Sequence, residues 1–459
     1  MGFVFSFGNA SQSGGELRKK LLSHFGVPAG EVATAARQFP LSARLDVQLA
    51  VEELLQKYSG TKLLGLVSPH PGMEIPTLAN VLANQQFPID VGPLQFDEID
   101  VGDSMPARCL KNALWLARAG RVPFAVLFAP GGRFGFQTGV HLELAFPAGE
   151  TAAPVSEQML GEIERLIAQG RTYRGRVISL EAQMDPRGGG SMVKVHRLAQ
   201  VKRDDVILPR KTLDLLDRNI RDFVNARQAL KLLRFQARKG LLFYGPPGTG
   251  KTHTIHYLAS QLPGHTTLLI TAEQVGLLGE YFRLARFLQP SLMVIEDVDL
   301  IARERTQMRG PGEEILLNKL LNEMDGLRED VEVIFILTTN RPEQIEPALV
   351  SRPGRIDQAI EFPLPDEEGR ARLTKLYTRG LEIPEELLGT IVARTKGVSA
   401  AFIKELMRRC AQSQIEADSN SGTLLSAAAV DRALEEMLFA GGALNRRLLG
   451  AEAGQAAKP

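Results

Sequence analysis

The chain has 459 residues, 44% of them hydrophobic and 23% charged. That is the balance of a globular protein of about three packing units at roughly 150 residues each. Its 54 Lys and Arg against 53 Asp and Glu leave a net charge of +1, which excludes a global field that would steer nucleic acid or an acidic membrane onto it. Two cysteines, Cys109 and Cys410, with neither CxxC nor metal-ligand spacing, exclude a disulfide framework and point to a reducing, cytoplasmic setting.

No stretch reaches the ~20 apolar residues of a membrane span. The start, Met1-Gly-Phe-Val-Phe-Ser-Phe, lacks the basic and apolar regions of a secretory signal. Gly2 with Ser6 fits the loose acylation pattern, and bulky Phe3 argues against it. Residues 1–195 read as a mixed α/β domain for a substrate or partner. Helical periodicity marks 16–25, 43–57, 106–119 and 157–169, the last closed by Gly170. Trp115 falls on the third of these, with Leu110, Leu114 and Leu116, as a core residue. Strand-like runs mark 123–128, 140–146, 176–180 and 192–197. Residues 131–136, three glycines with an arginine and two phenylalanines, read as a hairpin connection with packed phenylalanines rather than a partner-binding loop, and the glycines of 186–190 as a turn between strands. A single Arg-Gly-Gly copy without interleaved aromatics does not support RNA contact.

From Val201 the pattern changes. Charged helical residues run to Arg238, and strands then alternate with helices to residue 365, the sign of a parallel sheet with crossover helices. Residues 366–445 carry only helical patterns, cut by Gly380, Pro384 and Gly397, with Ser399 as an N-cap. The small, polar tail 446–459 is expected to be disordered.

The strongest chemical signal is Gly245-Pro246-Pro247-Gly248-Thr249-Gly250-Lys251-Thr252, a GxxxxGK[ST] loop between the strand 241–244 and the helix 252–262. Glycines let backbone N–H groups approach phosphate oxygens, and the helix N-terminus adds positive partial charge. Lys251 is placed to reach the β- and γ-phosphates, Thr252 to hold Mg²⁺, and His253 borders the same nucleotide. A second apolar run, 292–295, ends in Glu296-Asp297. Phosphoryl transfer needs one acid for the magnesium shell and one to orient or deprotonate water. A third apolar run ends at Thr338-Thr339-Asn340, whose amide suits the attacking water. Arg352 and Arg355, in Ser351-Arg-Pro-Gly-Arg355, offer planar, permanently charged forks for phosphate. His253 and His256 lie three apart, but no third ligand and no HExxH accompany them, so helix packing explains them and a fused zinc protease is not expected.

In this order, and in the wording of 245–252, 318–327 and 338–357, residues 201–439 resemble the AAA family of ATPases. The resemblance implies an α/β P-loop sheet over 196–365 and a helical lid over 366–445. It implies an ATP- and Mg²⁺-dependent ATPase that forms a homo-oligomeric ring, usually a hexamer, and remodels a protein client or adaptor held by residues 1–195. Asn340 then looks like the sensor beside the γ-phosphate. Arg352 and Arg355 look like fingers completing a neighbour's site, and Ser399-Ala400-Ala401 looks like the lid segment near adenine. The helix 315–324 resembles the element facing the adjoining subunit. A nucleotide-switched scaffold with slow hydrolysis is the alternative, and a nucleic-acid motor comes third.

Two departures bear on mechanism. The family usually has Asp then Glu where this chain has Glu296-Asp297, an order similar to that of the mitochondrial translocator of the Rieske protein. Position for position Glu296 serves the metal shell and Asp297 is the base, an exchange of roles stays open, and slow turnover is expected. The segment 270–279, where threading relatives carry an aromatic pore loop, is short and has no aromatic residue. Tyr281 and Phe282 are read as helix core, and the loop 303–314 is left to face the channel.

Overall fold

The computed structural model describes residues 15–67, 77–83, 89–133, 136–149, 152–170, 172–182, 191–300, 311–327, 331–346, 349, 355–417 and 424–437. Contacts divide the chain into two units, 1–174 with 180–195, and 175–179 with 196–459. No helix among the described residues is long and apolar enough to cross a membrane.

The first unit contains helices α1 (Glu16–Phe25), α2 (Arg44–Leu55), α3 (Leu78–Ala83) and α4 (Ala152–Ala168). Its strands are β1 (Val32–Phe39), β2 (Lys62–Val67), β3 (Asp90–Gly92), β4 (Phe96–Ile99), β5 (Ala107–Leu110), β6 (Ala113–Ala119), β7 (Val122–Arg133) and β8 (Phe136–Pro147). Six of them form an antiparallel sheet of order β1-β8-β7-β6-β2-β3, and β4 pairs with β5. Alternate side chains point to opposite faces. Leu114, Leu116, Ala125 and Leu127 pack with Leu17, Leu21 and Phe25 of α1, while Trp115, Phe124, Val126 and Phe128, of the other parity, are buried too.

That double burial explains one misreading. The expected helix 106–119 is two strands, β5 and β6. A strand buried on both faces shows no alternation, so Ala-Leu-Trp-Leu-Ala imitates a helical apolar cluster. Trp115 is core, 3% exposed, but on a strand. The hairpin expected over 131–136 joins β7 to β8, with Gly131 opposite Gly139; the packing of its phenylalanines lies outside the described residues, as do the turn 186–190 and the tail from 446.

The second unit takes in the start of β9 (Val177–Ala182), and β10 (Ser191–His196) precedes its main run. Helices α5 (Arg210–Leu216) and α6 (Phe223–Leu232) lead into β11 (Lys239–Tyr244), α7 (Lys251–Gln261) and β12 (Thr266–Ile270). Then come α8 (Leu278–Phe287), β13 (Ser291–Ile295), α9 (Pro311–Asp325), β14 (Val333–Thr339) and β15 (Gln358–Glu361). Four helices finish it: α10 (Glu367–Tyr377), α11 (Glu385–Arg394), α12 (Ala400–Ala417) and α13 (Ala427–Glu435). The sheet is parallel and runs β9-β12-β13-β14-β11-β15, with β9 joining through Val177 and Ile178. The fold class is the expected one, a parallel P-loop sheet with a C-terminal helical lid after a mixed α/β region.

After β11 the chain skips two strand positions to β12. The crevice of such a sheet opens at the carboxyl ends of its strands, where the order reverses. Ile255 and Leu258 seat α7 against Phe243, Val294 and Ile334 of the sheet, which aims the start of α7 into that crevice. The lid has its own core of Leu373, Ile391, Phe402, Leu406 and Leu434. Residues 311–314, expected in the loop 303–314, are helical, because Pro311 opens α9 at the first position, where a missing N–H costs nothing. Residues 303–310 lie outside the described residues.

Candidate functional site

The loop 245–250 connects β11 to α7, and three of its glycines have positive φ: Gly245 at +142°, Gly248 at +75° and Gly250 at +99°. Only glycine takes these conformations freely. At Gly245 a Cβ would lie 2.3 Å from the carbonyl oxygen of Phe362, and at Gly248 it would lie 2.8 Å from the Cβ of Ala401. The lid closes on this loop directly, as the Ala401 N–H donates to the Gly248 carbonyl at 3.0 Å. Ser399 caps α12 by accepting the Phe402 N–H at 3.2 Å.

Lys251, 8% exposed, folds back over the loop, its Nζ donating to the carbonyls of Gly245 (2.7 Å) and Pro246 (2.9 Å). Burial pushes its ammonium down to about 8, against the opposing pull of Asp297 and Asp299. A buried cation whose bonds go to neutral carbonyls gains from the closer negative charge that a phosphate supplies. Thr249 secures the loop by donating to Pro246.

Thr252 Oγ1 donates to Glu296 Oε1 at 2.8 Å. Glu296 stands just past β13, where its N–H still donates to Ile270 at 2.9 Å. The next residue, Asp297, has φ +50°, a left-handed conformation that short Asp and Asn tolerate and longer side chains resist. The unusual acid order therefore has a local cause. The longer Glu296 spans to Thr252, and the shorter Asp297 occupies the turn. Asn340, at the tip of β14, donates its amide to Asp297 Oδ1 at 3.1 Å, and Thr338 Oγ1 accepts the Asp297 N–H at 3.1 Å.

A cavity of about 410 Å³ joins these groups, within the size range of small-molecule sites. Pro247, Gly248, Thr249, Gly250, Lys251, Thr252 and His253 line one wall, Glu296, Asp297 and Asn340 a second, and Ala400, Ala401, Tyr377 and Lys404 of the lid a third. The segment from Asp205 to Leu208 closes the side where His253 Nε2 meets the Asp205 carbonyl at 3.3 Å. The residues fit a magnesium nucleotide. Mg²⁺ takes one or two protein oxygens and completes its octahedron from phosphate and water, which suits Thr252 with Glu296. Among the described residues no group of three or more His, Cys, Asp or Glu could hold a metal ion by itself.

Sequence reasoning overlooked several members. Asp299, 5% exposed, accepts from Thr339 Oγ1 at 2.8 Å, and Thr339 in turn accepts the Arg341 N–H at 2.9 Å, so the 3₁₀ turn after β13 is bonded to the tip of β14. The signal was present as polar residues ending otherwise apolar strands. Tyr377, Lys404 and Asp205 carry no such local signal. Of the two arginines, Arg352 lies outside the described residues. Arg355 is not among the cavity's lining residues: it is buried, 4% exposed, and donates to Asp325 through Nε (2.9 Å) and Nη2 (2.5 Å). In the segment 270–279, a 3₁₀ turn precedes α8, and Tyr281 and Phe282 are fully buried. The Tyr281 hydroxyl donates to the Leu269 carbonyl at 3.0 Å, so these aromatics are core.

Residues 241–364 match the family model described as the ATPase family associated with various cellular activities (AAA). Among curated proteins the chain is 30% identical over 268 residues to a proteasome-activating nucleotidase of Methanocaldococcus jannaschii, covering 55% of this chain and 57% of that one. It is 36% identical over 188 residues to a cell division cycle protein 48 homolog of Archaeoglobus fulgidus, covering 39% and 26%. It is 34% identical over 203 residues to the ATP-dependent zinc metalloprotease FtsH 4 of Sphaerobacter thermophilus, covering 41% and 30%. The chain thus spans 57% or less of the length of these relatives, and the family match leaves residues 1–240 uncovered.

Proposed function

We propose that this chain, which carries an AAA ATPase domain, hydrolyses ATP to ADP and phosphate with Mg²⁺. It works as a homo-oligomeric ring, with six subunits expected, and remodels a protein held by its N-terminal unit. The observation that carries this reading is the single cavity gathering Lys251, Thr252, Glu296, Asp297 and Asn340 under the lid. The nearly balanced charge supports a protein client rather than nucleic acid. Two buried thiols, Cys109 and Cys410, support a cytoplasmic setting.

In this mechanism the 245–250 loop and Lys251 bind the phosphates, and Thr252 with Glu296 positions the metal. Magnesium triphosphate, when bound, supplies the electrophilic phosphorus and the charge that Lys251 neutralises. Asp297 takes the proton of the attacking water on its carboxylate, and Asn340 orients that carboxylate and the water together. Ala400, Ala401 and Tyr377 exclude bulk water. Arg352 of one subunit stabilises the transferring group in the next, a contribution worth about 10³-fold or more in comparable sites.

Steady-state ATPase activity of the intact chain tests the reading. Specific activity is expected to rise with protein concentration as rings form, to vanish in Lys251→Ala, and to fall about 10³-fold in Arg352→Ala. Equal activity from a lone monomer refutes it. The short, left-handed Asp297 favours one further reading, a scaffold that ATP assembles and slow hydrolysis releases. Turnover that stays negligible in assembled rings with every added protein client decides for the scaffold.

A further inference from the structure

The six-stranded sheet of the first unit ends on β1 at one edge and on β3 at the other. β3 has three residues, Asp90–Gly92, too few to template another strand. β1 has eight, Val32–Phe39, and pairs with β8 in one unbroken register. The Ala148 N–H donates to the Glu31 carbonyl at 2.5 Å, and Val32 stands opposite Pro147. In an antiparallel ladder mutually bonded pairs alternate with unbonded ones. Ala33, Ala35, Arg37 and Phe39 therefore direct their backbone groups at β8, and Val32, Thr34, Ala36 and Gln38 turn theirs outward. The Ala36 carbonyl fits this phase, since it accepts Arg37 Nη1 at 3.2 Å. The Val32 N–H is taken by the Ala29 carbonyl. Among the described residues no partner takes the N–H or C=O of Thr34 and Gln38, or the N–H of Ala36. Sheets usually blunt such an edge with proline, lysine, a bulge or a covering element. β1 has neither proline, lysine nor bulge, and Ala33, Thr34, Ala36, Arg37 and Gln38 are exposed. Its one charge, Arg37, is bent onto Glu164 of α4, Nε to Oε1 at 3.0 Å.

We propose that this edge is where the first unit takes hold of its client, an unfolded and locally uncharged polypeptide that adds beside β1 as a seventh strand. The proposal rests on the reading of residues 1–195 as the client-holding part and says what they hold. The outward groups recur every second residue, about 6.8 Å apart, a spacing that another extended backbone matches with donors and acceptors in turn. Such pairing gives affinity with little regard for sequence. Small side chains on both faces, Ala33 and Ala35 on one, Thr34 and Ala36 on the other, leave room for bulky apolar partners across the strands. With Arg37 paired to Glu164, nothing on β1 selects for charge. A second copy fits less well. Two β1 edges pair about a two-fold axis and close at two copies, whereas a ring repeats a head-to-tail contact.

Fluorescence anisotropy with the full chain tests the edge. The probes are a labelled octapeptide of alternating threonine and valine, and a reduced, carboxymethylated unfolded protein. The peptide is also made with its backbone nitrogens methylated, either alternately or throughout. Alternate methylation leaves one edge able to pair and is expected to keep binding, while full methylation loses about tenfold or more. Ala36→Pro removes an outward donor without touching the β8 ladder. It is expected to weaken both probes about tenfold with melting and basal ATPase activity unchanged. Thr34→Lys, which charges the edge, carries the test if the proline variant fails to fold. Equal affinity of wild type and both variants, or undiminished binding of the fully methylated peptide, overturns the edge while the client reading stands, because polypeptide is then held elsewhere. A sedimentation mass that falls in Ala36→Pro shows a second copy on the edge and overturns it. Peptide binding that appears only after deletion of residues 2–14 shows the chain's own beginning there and also overturns it. If neither probe binds the intact ring in any nucleotide state, the client reading fails and takes the edge with it.

Discussion

Asn340 and Asp297 meet at 3.1 Å across the tips of β14 and the turn after β13, the amide Nδ2 donating to the carboxylate Oδ1. The bond ties the amide proposed to orient water to the proposed base, and it is made by an aspartate at φ +50°. Exchanging the acids, Glu296→Asp with Asp297→Glu, restores the order usual in the resembling family and breaks both local fits. Asp at 296 is one methylene short of Thr252, and Glu at 297 meets the steric penalty of left-handed backbone, about 1 kcal/mol. The expected result is a loss of about tenfold or more in kcat/KM with magnesium ATP. An activity gain on exchange refutes the local explanation of the acid order.

Single substitutions separate the roles of the pair. Asp297→Asn is expected to keep ATP binding and lose about 10²- to 10⁴-fold in kcat, the range for a general base. Glu296→Gln is expected instead to weaken Mg²⁺ binding, so that activity saturates at a higher Mg²⁺ concentration. Titrating Mg²⁺ at fixed ATP reads the difference, and identical profiles for the two variants count against separate roles.

The lid's seat on the phosphate loop has one tight point. At Gly248 a side chain would meet Ala401 Cβ at 2.8 Å and Ser399 Oγ at 3.0 Å, on backbone at φ +75°. Gly248→Ala therefore strains the loop and lifts the lid together. ATP affinity, measured with a fluorescent analogue, is expected to fall tenfold or more while the melting of the N-terminal unit is unchanged. Adding Ala401→Gly removes the nearest clash and recovers part of the affinity. Wild-type affinity in Gly248→Ala contradicts this account of the closed lid.

The parts of the second unit proposed to handle phosphate were readable because their chemistry is local: a glycine loop before a helix, acids and an amide at the ends of apolar strands. What sequence reasoning missed is supplied by distant chain. Asp325 stands 30 residues before Arg355 and nothing in either segment announces the pair. Tyr377 and Lys404 reach the cavity only through the packing of α10 and α12. In the first unit the doubly buried β6 lacks the alternation that identifies a strand, and β1, rich in small residues, gives too weak a pattern to register.

The two cysteines offer a test of burial in both units. Burial pushes the Cys109 thiol up to about 11 and the Cys410 thiol up to about 12. Since the thiolate is the reactive form, a thiol-reactive dye at pH 8 is expected to label neither in the native protein and both in denaturant. Labelling of one cysteine at the native rate of a free thiol places a dynamic opening at that residue.

Lys251 gives the pH dependence of the nucleotide-free protein. Its folded-state value of about 8 lies below the 10.5 of an unhindered lysine, because burial disfavours the charged form. Between those values the unfolded chain binds more protons than the folded one, so stability rises with pH across that window and is flat below it for this group. Other titrating groups cancel in a comparison with Lys251→Met, which cannot titrate. Urea midpoints of the two proteins, taken without nucleotide at pH 7.5 and pH 9.5, are expected to diverge in the wild type's favour at the higher pH. A gap that stays constant, or shifts toward Lys251→Met, shows that Lys251 is not held in a desolvated position over the loop.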